Sequence, residues 1–518
     1  MLNFMEENQK VTISKKERIK NLISSLAENL QEREDIISIA LLGSLIEESI
    51  FFYGPPGTGK SLIARRISTA FHNQKYFEYL MQKFSTPDEI FGQVSISELK
   101  KDNYKRLTEG FLPTATFAFL DEIWKSSPAI LNTLLTILNE RLFKNGKILE
   151  NCPLKVIISA SNEVPPKNQG LEALYDRFLL RVPVFPIKDK NNFEILLESN
   201  NVKTKTNIKN EYKISPNEVE KWKNEINNIK LSKETFNIIH ILRTLLFEKA
   251  EELDIYVSDR RWKKVAFLLK ASAFFCERKE TNLSDLLLLK YCLWSTNENR
   301  EKINTLIEDT IKENAYAFKI NLSEFDREKE KIEKEINKEL YYTEDIYDAT
   351  IKNGNEYFKT WRNYRNNRIT FLIDKKYMKT NEEFSPIDTN GNILDSIKCN
   401  FKGTGSCEIK IKDTYYYGNN FNSVDPFSPK ILYHKGDKKI DINERLINSL
   451  NESAVKLIKD IEDMLKELNS YKERLKDEID NPFVPKEDIE ILLNSINNLT
   501  DDLKVRKVDC EKIKDLAK

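Results

Sequence analysis

Gly54-Pro55-Pro56-Gly57-Thr58-Gly59-Lys60-Ser61 follows directly on the apolar run Ile50-Phe51-Phe52-Tyr53. The octet fits G-x-x-x-x-G-K-[ST], a phosphate-binding loop between a strand and a helix. The 518 residues contain only 14 glycines, and three of them fall at 54, 57 and 59. Glycine lets the backbone curl until its N–H groups point inward at a phosphate. In such a loop Lys60 reaches the β- and γ-phosphates and the Ser61 hydroxyl ligates Mg²⁺. The next helix, predicted from Leu62 to about Phe71, adds the positive end of its dipole. The nucleotide-binding set read here is thus Gly54, Pro55, Pro56, Gly57, Thr58, Gly59, Lys60, Ser61 and Leu62.

Outward from the loop, Phe117-Ala118-Phe119-Leu120-Asp121-Glu122 is four apolar residues followed by two acids. That is a buried parallel strand delivering carboxylates at its C-terminal end, where ligands bind in such sheets. Asp121 joins Ser61 as the metal-holding pair, through water, and Glu122 orients and polarises the attacking water. A third apolar run, Leu154 to Ala160, ends at Ser161-Asn162-Glu163. The Asn162 amide can touch a γ-phosphate or the lytic water, and capping the next turn is its plainer use. Leu174-Tyr175-Asp176-Arg177-Phe178-Leu179 then leads into a strand from Leu180 to Val184. Arg177 is a candidate arginine finger for a neighbouring subunit's nucleotide, with Arg181 as local competitor. An arginine serving a helix C-terminus would read the same way. Phosphoryl transfer asks the protein mainly to position groups and neutralise charge, so a complete set points to NTP hydrolysis.

The order phosphate loop, Asp-Glu strand, Asn at a third strand end and D-R-F resembles the AAA+ ATPases, within them the MoxR branch, and most nearly its RavA-type regulatory members. Three stretches carry the resemblance: Arg65-Arg66 through Phe84-Ser85-Thr86-Pro87-Asp88-Glu89-Ile90-Phe91-Gly92; Phe119 to Lys125 with Pro128 to Leu135 and Asn139-Glu140-Arg141; and Ala160 to Glu163 with Leu171 to Arg177. It is strong from about residue 20 to 300. It implies Walker A at Lys60 and Ser61, Walker B at Asp121 and Glu122, sensor 1 at Asn162 and the finger at Arg177. It also implies sensor 2 at Arg260, with Arg261 as the alternative, in a helix opened by Ser258-Asp259. ATP, Mg²⁺, a homo-oligomeric (hexameric) ring, remodelling or chaperone-like maturation of a protein client, and a von Willebrand A domain partner follow as expectations of the family.

The segment Gly92 to Pro113 is too long and polar for a tight connection. It resembles the helix-2 insertion of MoxR proteins, which faces a pore or client. Asn145-Gly146 between short apolar pairs signals a hairpin before the third strand.

The fold class read here is an α/β AAA+ core, a parallel sheet flanked by helices, with an α-helical lid, then a discontinuous three-helix stalk carrying an inserted small β-domain. Residues 1–190 form the nucleotide-binding part. From 191 to 310, apolar residues at helical spacing such as Ile238, Leu242, Leu245, Val265 and Leu269 make the lid. Stripes at Phe325, Ile332, Ile336, at Leu450, Leu457, Ile461 and at Leu492, Ile496, Leu503 mark three helices, in 311–345 and 438–518. Between them, 346–437 is rich in Tyr, Phe and Thr, with strand-like 369–373 and 407–411 and turns at Asn390-Gly391 and Gly403-Thr404-Gly405. This insert is expected to dock a partner. Tyr415, Tyr416, Tyr417 and Phe421 would serve either as its anchors or, for most of them, as its own core.

Lys+Arg and Asp+Glu balance at 82 each, so no basic field draws nucleic acid. No stretch near 20 apolar residues predicts a membrane span. Ile36 to Ile46 is short and reads as a core helix. Six cysteines without C-x-x-C spacing, three scattered histidines and a Glu- and Lys-rich start without a secretory signal suggest free thiols in a reducing cytoplasm. A nucleic-acid motor or NTP-dependent restriction component is the competing reading, since such proteins use the same loop.

Overall fold

The computed structural model describes residues 13–166, 170–198, 208–314, 322–364, 367–402, 405–412 and 421–516. Gly403, Thr404 and Tyr415 to Tyr417 lie outside the described residues. The chain divides into two compact units: 1–321 with 463–504, and 322–462 with 505–518.

In the first unit two helices, α1 (Lys15–Ala27) and α2 (Glu34–Leu45), precede strand β1 (Ser49–Tyr53) and helix α3 (Lys60–Thr69). Next come β2 (Tyr76–Leu80), β3 (Phe117–Asp121), a hairpin of β4 (Leu142–Asn145) and β5 (Ile148–Asn151), then β6 (Val156–Ser161) and β7 (Phe178–Pro183). Five of these strands form one sheet in the order β2-β3-β6-β1-β7, and every pairing is parallel. β1, β3 and β6 are apolar because helices cover both faces and leave no wet side for alternation. The apolar run after Glu34 is α2, buried from Ile37 to Leu45. Its Gly43 lies so near β7 that a Cβ would sit 2.5 Å from Leu180 Cδ1.

The segment after Gly92 is pinned rather than trailing. Val94 bridges Arg106 antiparallel, Ile96–Leu99 forms one helical turn, and Asn145 clasps the Arg106 backbone reciprocally, accepting from its N–H at 2.6 Å and donating to its carbonyl at 3.1 Å. The predicted insertion and hairpin are therefore packed on each other. Gly146 is fixed by this contact, since a Cβ there would meet the Tyr104 carbonyl oxygen at 1.8 Å.

The lid is helical: Pro216–Asn227, Lys233–Glu248, Asp259–Phe275 and Asn297–Asn314 carry most of it, with shorter turns between. Ser215 and Ser232 cap two of these helices through their hydroxyls. Residues 463–504 belong to this same unit, so the contact boundaries cut the two C-terminal helices, Glu444–Glu478 and Lys486–Leu516, within their length.

The second unit contains helix Leu322–Leu340, whose Phe325, Ile332, Ile336 and Leu340 are buried, and antiparallel strands between Tyr341 and Lys438. Phe358, Phe371, Phe384, Phe401, Ile397, Ile409 and Ile411 make a separate small core. Cys407–Lys412 alternates buried and half-buried residues, as a half-covered strand should. Phe421 is half-buried. All six cysteines are free and buried. Among the described residues no helix is long and apolar enough to cross a membrane.

Candidate nucleotide site

β1 delivers the loop 54–59 and β3 delivers Asp121 at the same C-terminal edge, with β6 between them. Gly57 and Gly59 have φ of 80° and 86°, left-handed values that favour glycine. Gly54 is required for a different reason: a Cβ there would lie 2.1 Å from the Val184 carbonyl oxygen. Pro55 accepts the Thr58 hydroxyl at 3.0 Å, closing the loop, and Pro56, Ser61 and Leu62 continue it into α3. Lys60 is buried, and its Nζ donates to the Gly54 and Pro55 carbonyls, both at 2.7 Å. Burial pushes its pKa below the ordinary lysine range, and the Asp121 and Glu122 carboxylates oppose that.

Burial raises the Asp121 pKa above the ordinary carboxylate range, with the Glu122 N–H and Lys60 pulling it back. The half-buried Asp121 carboxylate, only partly compensated by its own chain, and the Ser61 hydroxyl at the start of α3 are hard oxygen donors of the kind that suit Mg²⁺. Glu122 sits at φ 53°, a left-handed conformation costing roughly 1–3 kcal/mol for a non-glycine residue, as strained functional positions often do. Its carboxylate lies 3.3 Å from Lys125 Nζ and accepts the Ser161 hydroxyl at 3.4 Å. Asn162 follows β6 and is exposed. It is Ser161, not Asn162, that touches Glu122, a contact no motif announces.

The two arginine pairs separate. Arg181 is buried, donating to the Trp294 and Tyr175 carbonyls with its guanidinium 3.8 Å from the Tyr175 ring centroid. Burial, with Arg261 nearby, pushes its pKa down to about 9. Its guanidinium is held inside the packed core. Arg177 is half-buried just before β7, and its Nε is buried without a hydrogen-bond partner. Arg260 is exposed at the start of the lid helix Asp259–Phe275. Arg261 is 2% exposed and donates to the carbonyls of Cys292 at 2.5 Å, Asp176 at 3.2 Å, Phe178 at 3.1 Å and Leu179 at 2.8 Å. Ser258 adds a hydroxyl to Asp176 at 3.2 Å. The lid is thereby tied to the short segment that carries Arg177.

Arg33 is the residue that sequence reading passed over. It is buried and donates to the carbonyls of Thr58 at 3.3 Å and Phe185 at 2.8 Å, bracing the phosphate loop against the exit from β7. An arginine between two acids on a helix start carries no sequence signal for this.

Loop, carboxylate edge and lid define a phosphate-loop nucleotide-binding protein. Residues 17–224 match the family described as the MoxR domain in the MoxR-vWA-beta-propeller ternary systems, and 234–307 match an AAA lid domain. Two uncharacterised proteins of Methanocaldococcus jannaschii are similar. One is 38% identical over 313 residues, covering 60% of this chain and 77% of the relative. The other is 38% identical over 281 residues, covering 53% and 71%. A structural protein of Acidianus two-tailed virus is 25% identical over 508 residues, 90% of this chain and 75% of its own. The chain belongs to the MoxR family of AAA+ ATPases.

Proposed function

We propose that the protein hydrolyses ATP with Mg²⁺ in a hexameric ring and uses the cycle to remodel or mature a protein client, together with a von Willebrand A domain partner. The observation that carries the reading is the convergence of Lys60, Asp121 and Glu122 at the C-terminal edge of one sheet, from the two strands that flank β6. Lys60 and the loop N–H groups bind the phosphates. Ser61 and Asp121 would hold Mg²⁺, which neutralises phosphate charge when bound. Glu122 orients the water, held by Ser161 and Lys125, and Asn162 stands at the adjoining strand end to contact it. Arg177 completes a neighbour's site, and Arg260 reports nucleotide state to the lid.

A von Willebrand A partner is supported by the systems named in the matched family's description. A protein client is supported by exposed apolar side chains on the two packed insertions, Ile96 and Leu107 on one and Ile148 and Leu149 on the other. The β-domain 346–437 is the proposed partner-docking module.

The test is a pair of variants. Glu122→Gln binds Mg·ATP and loses roughly 10²–10⁴-fold in turnover, the range for losing a positioned general base. Lys60→Ala loses nucleotide binding. Wild-type turnover in Glu122→Gln would remove the assignment. Stimulation of hydrolysis by DNA or RNA would replace the protein-client reading with that of a nucleic-acid motor.

A further inference from the structure

Between the helices Glu444–Glu478 and Lys486–Leu516 the chain reverses at Asp480-Asn481-Pro482-Phe483-Val484-Pro485. Connections of this kind usually run over the surface. Here Asn481, Phe483 and Val484 are buried against the lid. Asn481 Nδ2 donates to Ser272 Oγ at 2.8 Å, Ser284 Oγ at 3.3 Å and Asp285 Oδ1 at 3.1 Å. Its Oδ1 accepts the Phe483 N–H at 3.0 Å. One side chain therefore shapes the elbow and grips two lid helices.

Asp285 has no exposed surface. Its carboxylate also accepts from both Arg278 terminal nitrogens, each at 2.8 Å, and from the Asn282 N–H at 2.9 Å. Phe483 has no exposed surface either, and meets Phe275 edge-on with centroids 6.1 Å apart. Outside this plug Lys290 pairs with Asp488, Lys16 and Lys20 pair with Asp480, and Tyr471 donates to Glu234 at 3.3 Å. Buried amides and carboxylates are costly unless bonded, so a turn that buries and satisfies them is built to stay in place.

We propose that Asn481 and Phe483 are positioning residues that clip the helical hairpin 463–504 to the lid, so that the hairpin turns with the lid when nucleotide changes the lid's angle. The two helices continue in sequence past Asp463 and Lys504. Whatever rotates the lid then rotates the roots of both. Lid rotation itself rests on the ATPase reading above, and the experiment keeps the two apart.

Spin labels are placed on the full chain in pairs, core to lid (Lys83→Cys, Lys279→Cys) and lid to hairpin (Lys279→Cys, Asn494→Cys), all at exposed positions. The native thiols are buried and should stay unlabelled. Pulsed EPR distances are measured without nucleotide, with ADP and with a non-hydrolysable ATP analogue. The core–lid distance should shift between states while the lid–hairpin distance stays fixed and narrow. A lid–hairpin distance that shifts with nucleotide overturns the clip. A core–lid distance that never shifts overturns the motor reading instead, and the clip is then decided by Asn481→Ala with Phe483→Ala. That variant should broaden the lid–hairpin distribution in every state, and retention of the narrow distribution overturns the clip. Should the double variant not fold, Asn481→Ala alone is measured against Phe483→Leu, which keeps most of the apolar volume. The first should broaden the distribution and the second preserve it; equal behaviour of the two overturns the clip.

Discussion

The phosphate loop and the C-terminal elbow are both short turns with two prolines each, yet they dispose of their polar groups in opposite ways. In the loop, Lys60 rests on two carbonyls of its own turn, and the Asp121 carboxylate is only partly compensated. In the elbow, Asn481 bonds through both ends of its amide and Asp285 accepts from four donors. A turn made for a ligand keeps interchangeable partners. A turn made to lock spends every one. The arginine pairs repeat the contrast over a few residues: Arg181 and Arg261 are buried and donate to carbonyls, while Arg260 is exposed and Arg177 is half-buried.

The largest expected effect tests the ligand side. Arg177→Ala should bind ATP and lose roughly 10³–10⁵-fold in turnover if it acts as a finger. Mixing it with Glu122→Gln should restore some activity, because an intact finger then meets an intact site. Steady-state rates against protein concentration check this. Normal turnover in Arg177→Ala would put that arginine with its spent neighbours.

On the locked side, Phe483→Ala empties a fully buried ring site and should cost about 3–5 kcal/mol in denaturant unfolding of the ATPase unit. A loss no larger than that of a surface substitution would make the elbow an ordinary loop. The Arg261/Arg260 pair sharpens the contrast further. Arg261→Met should cost about 2–4 kcal/mol, because several buried carbonyls lose their donor. Arg260→Ala should stay within about 0.5 kcal/mol and act on turnover instead. Reversed stabilities would mean that Arg260 ties the lid down and Arg261 is available to nucleotide.

The smallest effect concerns thiols. Burial pushes Cys292 up to about 12 and Cys152, Cys276 and Cys510 up to about 11. Thiolate is the reactive form, so at pH 8 these four should react with a thiol reagent only after denaturation. Reaction of Cys276 in the native protein would show the lid opening beside the elbow.

Local chemistry carried much of this protein in its sequence. The spacing Gly54 to Ser61 requires a strand, a curled loop and a helix, whatever packs around them. Apolar runs at 50–53, 117–120 and 156–160 are too apolar for a wet face and so specify a covered parallel sheet. Stripes at helical spacing specified the lid and the long C-terminal helices. Only the tertiary structure decided which polar side chain meets which. Arg33 braces Thr58 from 25 residues away, and Asn481 reaches Asp285 across 196. Ser161 rather than Asn162 touches Glu122, and Arg261 rather than Arg260 is the buried tie. The reason is physical: periodicity and turn chemistry act along neighbouring residues, whereas a hydrogen bond between distant segments depends on where packing brings their backbones, and a side chain's identity does not name its partner.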